Sequence, residues 1–226
     1  MPASARIYIA IVAALGFLAL AGSFTAGGPP DWPRFLTYLA LALIASALKV
    51  RLPGVQGTIS LNFLVYLLAV AQLTLRETLV LAVVGTVVQT LWRARRRPRP
   101  VQVLFNVAAV MISLAAAFWF SHVWGPEPGL PELGLASVIF YALNTVLVSA
   151  VIAMVQESPF ASILNRCHLW TVPYYLAGAV IALSVVASED RHGWQVSLLL
   201  LPLMYLVYRH FRLLVATRGE IVKTSG

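Results

Sequence analysis

Charge is scarce in this sequence. Only 11% of its 226 residues are Asp, Glu, Lys or Arg, against about 25% in an ordinary soluble domain. That is too little to clothe a water-exposed surface, so soluble enzyme folds and disordered chains are excluded. Cysteine is nearly absent: the single Cys167 rules out an intramolecular disulfide, and its neighbours Arg166 and His168 place it on a cytoplasmic loop as an unreactive thiol. No Asp, Glu, Lys or Arg falls in the middle of an apolar block. Intramembrane acid–base chemistry and carboxylate proton relays therefore lack their residues. Paired carboxylates, a His-x-x-x-His pair, a Cys/His cluster, a Gly-x-Ser-x-Gly elbow and a Gly-rich phosphate loop are missing as well. The expectation is a chain that is not an enzyme and holds no metal and no cofactor. His122, beside Trp119 and Trp124, reads as an interfacial histidine among belt aromatics.

Apolar residues are plentiful, at 60% of the chain with a mean hydropathy of +0.86. They fall into blocks at about 7–26, 34–50, 60–75, 78–92, 101–124, 135–155, 170–187 and 195–210, separated by Gly/Pro clusters such as Gly27-Gly28-Pro29-Pro30 and Pro98-Arg99-Pro100. This pattern predicts an all-α, polytopic transmembrane helical bundle. The first block is a retained helix, because no small-x-small cleavage site follows it.

Alternating the loops between two sides collects thirteen of the sixteen basic residues on one: Arg6, Lys49, Arg51, the five arginines of 93–99, Arg166, Arg209, Arg212, Arg218 and Lys223. Cytoplasmic loops are the basic ones, so both termini are expected in the cytoplasm and the number of spans is even. Blocks 60–75 and 78–92 would rise about 24 and 22 Å against a hydrocarbon core of about 30 Å. Eight spans with locally thin edges are expected. The alternative is six spans plus a re-entrant hairpin at 60–92 turning at Arg76-Glu77, and it costs a buried charged turn. The whole of 1–210 reads as one transmembrane domain, with 211–226 as a short cytoplasmic tail.

The blocks carry amides, which must find partners in hydrocarbon. Asn62, Asn106 and Asn144 either bridge helices or converge on a polar cavity for a small neutral ligand. Tyr66 lies one turn from Asn62 and Tyr141 three residues before Asn144, so each of these amides has an aromatic on its own face. With Tyr174 they make up the candidate ligand-binding set. Arg93, Arg95, Arg96, Arg97 and Arg99 form a topology anchor suited to anionic headgroups, and no further basic domain supports a nucleic-acid partner. Past the last block, Leu206, Val207, Phe211, Leu213 and Leu214 keep helical spacing without a breaker until Gly219, predicting a continuous helix from about Gln195 to Thr217. An amphipathic tail lying on the membrane surface is the simpler reading of the same residues.

Several segments together resemble a known family: Arg51-Leu52-Pro53 with Ile59-Ser60-Leu61-Asn62-Phe63, Leu104-Phe105-Asn106, Leu143-Asn144-Thr145-Val146-Leu147-Val148, Trp170 to Gly178, and Leu201 to Arg209. They are similar to the multi-helix N-terminal membrane modules that precede GGDEF diguanylate cyclase or HD-GYP phosphodiesterase domains in bacterial signalling proteins. The resemblance implies a sensory module of the bacterial inner membrane that passes a signal through its last helix to a cytoplasmic effector, a partner or a second copy. The chain departs from that pattern in stopping before any catalytic motif, so it reads as a stand-alone member or as a module of a longer protein. A looser similarity to the vitamin-binding S components of energy-coupling-factor transporters implies the alternative, a substrate-binding transport subunit.

Overall fold

The computed structural model describes residues 1–25, 29–51, 58–94, 97–125, 127–167, 172–206 and 208–209. Among the described residues, α-helices run in the order α1 Ala3–Ser23, α2 Trp32–Ala47, α3 Asn62–Gln72, α4 Leu75–Leu91, α5 Pro100–Ser121, α6 Leu130–Gln156, α7 Phe160–Cys167 and α8 Val172–His192. A 3-10 segment, Trp194–Leu199, then leads into helical residues 200–206. Between α2 and α3 a short antiparallel ribbon pairs β1 Lys49–Arg51 with β2 Thr58–Ser60, Val50 opposite Ile59. The all-helical expectation holds apart from this ribbon. Helices α1, α5 and α6 are long and apolar enough to cross a membrane.

The helix ends follow local chemistry. Asp31 caps α2 by accepting the Arg34 amide at 3.3 Å, with Pro33 in the first turn. Thr74 and Glu77 close a reciprocal capping box at the start of α4. Two expectations need correction. Pro131 lies in the first turn of α6, because a proline there forfeits no hydrogen bond, so this helix starts ahead of the 135–155 block. Cys167 closes α7 instead of lying in a loop. Pro159 precedes that helix, and Phe160, Ile163 and Leu164 give it the spacing of one apolar face.

Apolar side chains divide by face. On α1, Ala5, Ile9, Val12 and Gly16 are buried while Ile7, Ile11, Leu15 and Leu18 are exposed. Large apolar groups turned outward suit contact with lipid tails, which are as apolar as the core. Helices α1 and α5 run parallel, since Tyr8 meets Phe105 and Gly16 meets Ala108 further along both. A Cβ on Gly16 would fall 2.9 Å from Ala108 Cα, so this backbone approach needs glycine.

Helix α3 is different: every residue from Asn62 to Val70 is buried. A helix apolar all round belongs inside a bundle, and α3 lies between α2, α4, α6 and α8. Its neighbours give its direction. Asn62 meets Ser46 near the end of α2, and Gln72 meets Arg34 near its beginning, so α2 and α3 are antiparallel. Helix α4 returns alongside, with Thr78 donating to the Ala69 carbonyl at 2.9 Å and Asn62 reaching Gln89 at 3.0 Å.

Candidate functional site

Asn62 is 2% exposed and opens α3 directly after the ribbon. Its Nδ2 donates to Ser46 Oγ at 2.8 Å and to Gln89 Oε1 at 3.0 Å, joining three helices through one amide. Ser46 Oγ in turn lies 2.7 Å from the Ala42 carbonyl oxygen and 2.8 Å from that of Gly85. One turn along α3, the Tyr66 hydroxyl meets Thr86 Oγ1 at 3.0 Å. A Cβ on Gly85 would fall 2.9 Å from that hydroxyl, so the glycine makes room for the phenol. The polar groups here satisfy one another within the chain, as buried amides and hydroxyls must in an apolar surrounding.

An aromatic row leaves the same helix. Phe63 stacks on Phe140 of α6, with centroids 5.5 Å apart, and tilts against Tyr175 of α8 at 4.5 Å. Tyr175 touches Tyr141 at 4.7 Å, and Phe140 meets Tyr66 edge-on at 6.3 Å. Gly178 sits against Phe63, where an added Cβ would be 3.0 Å from Cδ1. Helix α3 is thereby tied to α2 and α4 by hydrogen bonds, and to α6 and α8 by rings.

Of the residues singled out in the sequence, Asn62 and Tyr66 therefore share one hydrogen-bonded layer, and Tyr66 and Tyr141 stand in one aromatic row. Asn106 on α5 and Asn144 on α6 are half-buried, and no hydrogen bond among the described residues joins either to Asn62. The Tyr174 side chain lies outside the described residues, as do Arg95 and Arg96. Arg93, Arg97 and Arg99 are exposed, at the end of α4 and the start of α5. Ser46, Gly85 and Thr86 were not anticipated, because a lone small polar residue in an apolar helix looks the same whether it bonds its own turn or a neighbour. His122 stacks on Phe118 at 3.9 Å, beside the exposed Trp119 and Trp124. Among the described residues no three His, Cys, Asp or Glu side chains are grouped to hold a metal ion.

A second polar group lies at the other end of α3. Arg34 Nη1 donates to Gln72 Oε1 at 3.2 Å, and Glu77 Oε2 accepts from the Thr74 amide at 3.0 Å and from its hydroxyl at 2.7 Å. Neither Arg34 nor Glu77 is among the site residues singled out in the sequence. The Thr74-Leu75-Arg76-Glu77 sequence is the capping-box signature that would have placed Glu77 inside the helix.

Comparison with known proteins agrees with this apolar, multi-helix architecture. The family model MASE9, of membrane-associated sensor domains, matches residues 32–213. No curated protein and no solved structure matches the chain.

Proposed function

The chain belongs to the MASE9 family of membrane-associated sensor domains, and from that premise we propose that it is a multi-pass sensor of the bacterial inner membrane, coupling through its last helix to a cytoplasmic effector or partner. The observation that carries this reading is the position of α3. A short helix buried on every side, bonded to α2 and α4 and ring-packed on α8, is placed to turn a shift in one helix group into a shift of α8. The 3-10 segment Trp194–Leu199, which joins α8 to the last helix, is also held to α2, through Tyr38 and Ser197 at 2.9 Å. In this proposal the chain has no catalytic step of its own. Nothing in the comparisons supports the transport alternative.

We propose eight spans with both termini cytoplasmic. Helix α3 rises only about 16 Å, yet its turn into α4 reaches Arg34 in the first turn of α2. The hairpin thus goes as deep as α2 does, which favours a locally thin bilayer over a re-entrant loop. With Cys167 replaced by Ser, a cysteine introduced at position 96 should react with an impermeant maleimide only after the cells are opened. Labelling in intact cells would overturn this orientation.

Output through the last helix is testable by rotation. The described α-helix covers residues 200–206 and 208–209; the stretch from Gln195 to Leu199, expected to belong to it, is 3-10 instead. The positions expected to extend it to Thr217, with Phe211, Leu213 and Leu214, lie outside the described residues. One residue inserted after Tyr208 turns everything beyond by about 100°. In a fusion to a cytoplasmic reporter enzyme it should abolish signal-dependent output, while a seven-residue helical insertion, two full turns, restores it. Equal output from both fusions would refute transmission through this helix.

A further inference from the structure

The two polar groups at the ends of α3 differ in one respect. At the Asn62 end every bond closes within the chain, whereas at the α3–α4 turn two buried polar atoms have no hydrogen-bond partner, Glu77 Oε1 and Arg34 Nε. Glu77 is 6% exposed, and both donors from Thr74 go to its other oxygen, Oε2. Arg34 Nε has only Asp31 Oδ2 at 3.6 Å, which is an ion pair too long to be a hydrogen bond. The Arg34 side chain is 28% exposed although its Nε is buried, so this end of the site borders the surface of the bundle.

A buried carboxylate oxygen without a donor is costly in an apolar surrounding and calls for a charged N–H partner. The guanidinium nearby offers the opposite half of a match. Both groups bond one short backbone stretch, Arg34 Nη1 donating to the Gln72 carbonyl at 3.4 Å and Glu77 Oε2 accepting from the Thr74 amide at 3.0 Å, so both belong to the same turn. An ammonium and a carboxylate on a single carbon, each hydrogen-bonded outward, span about 9 Å. We propose that the α3–α4 turn binds a free α-amino acid, its ammonium on Glu77 Oε1 and its carboxylate on Arg34.

This site would supply the sensor proposed above with its input, but binding needs no effector and is measured on the chain alone. The protein is placed in lipid nanodiscs and its thermal unfolding followed with each of the twenty standard amino acids, and with methylamine, acetate and calcium as controls. At least one amino acid should raise Tm in a saturable way, and the three controls should not. Glu77→Gln keeps the capping box, since Gln serves at that position, and removes the charge. It should fold with an unchanged Tm in the absence of ligand and lose the ligand-induced rise, and Arg34→Gln should weaken binding at least tenfold. No response to any amino acid would overturn the proposal. So would an equal response to methylamine or calcium, which marks a simple cation site, or an undiminished response in Glu77→Gln.

Discussion

Phe63→Ala should lower the stability of the folded chain by about 3 kcal/mol, the range for emptying an aromatic site in a packed core. The ring lies between Phe140 and Tyr175, with Gly178 against its edge, and three helices meet there. Transfer into lipid regains nothing for such a group, because acyl chains are as apolar as the core, so the loss is one of packing and cavity. Thermal unfolding in nanodiscs should show a Tm several degrees lower, and α8 should come away from α3. Phe63→Leu should recover about half of the loss. Wild-type stability in Phe63→Ala would mean that α3 and α8 are not coupled at this point.

Asn62→Leu should cost about 2 kcal/mol, since interhelical polar contacts in membranes contribute roughly 0.6 to 2 kcal/mol each and this side chain makes two good ones. Gln89 Oε1 is then left without its donor, adding a desolvation cost. A double-mutant cycle with Gln89→Leu should show the two changes to be non-additive, because they remove the same bond. The same variant separates the two roles of the amide. If Asn62 holds the helices, Tm falls and any amino-acid response persists in the protein that stays folded; if it lines a ligand cavity, binding is lost at unchanged Tm.

The sequence determined the class of this protein. Sparse charge and apolar blocks mark a chain that lives in lipid, where backbone polar groups without water admit only helices or closed barrels, and blocks longer than the roughly 10 residues of a barrel strand select helices. It also placed most of the helices to within a few residues, since proline and glycine clusters break helices by local chemistry. Two of the misses, the start of α6 and the whole of α7, are places where proline begins a helix instead of ending one.

What the tertiary structure decided is which residues meet. Asn62, Asn106 and Asn144 look alike in sequence, each an amide in an apolar run. Among the described residues, Asn62 alone of the three has a serine, a glutamine and a glycine carbonyl brought against it from α2 and α4. The burial of α3 on all sides was likewise invisible, because an apolar helix facing lipid and one facing protein have the same composition. In water the exposed face of a helix must be polar, and hydropathy shows which side is inside. In lipid that contrast vanishes, so side-chain packing and hydrogen bonding settle the interior.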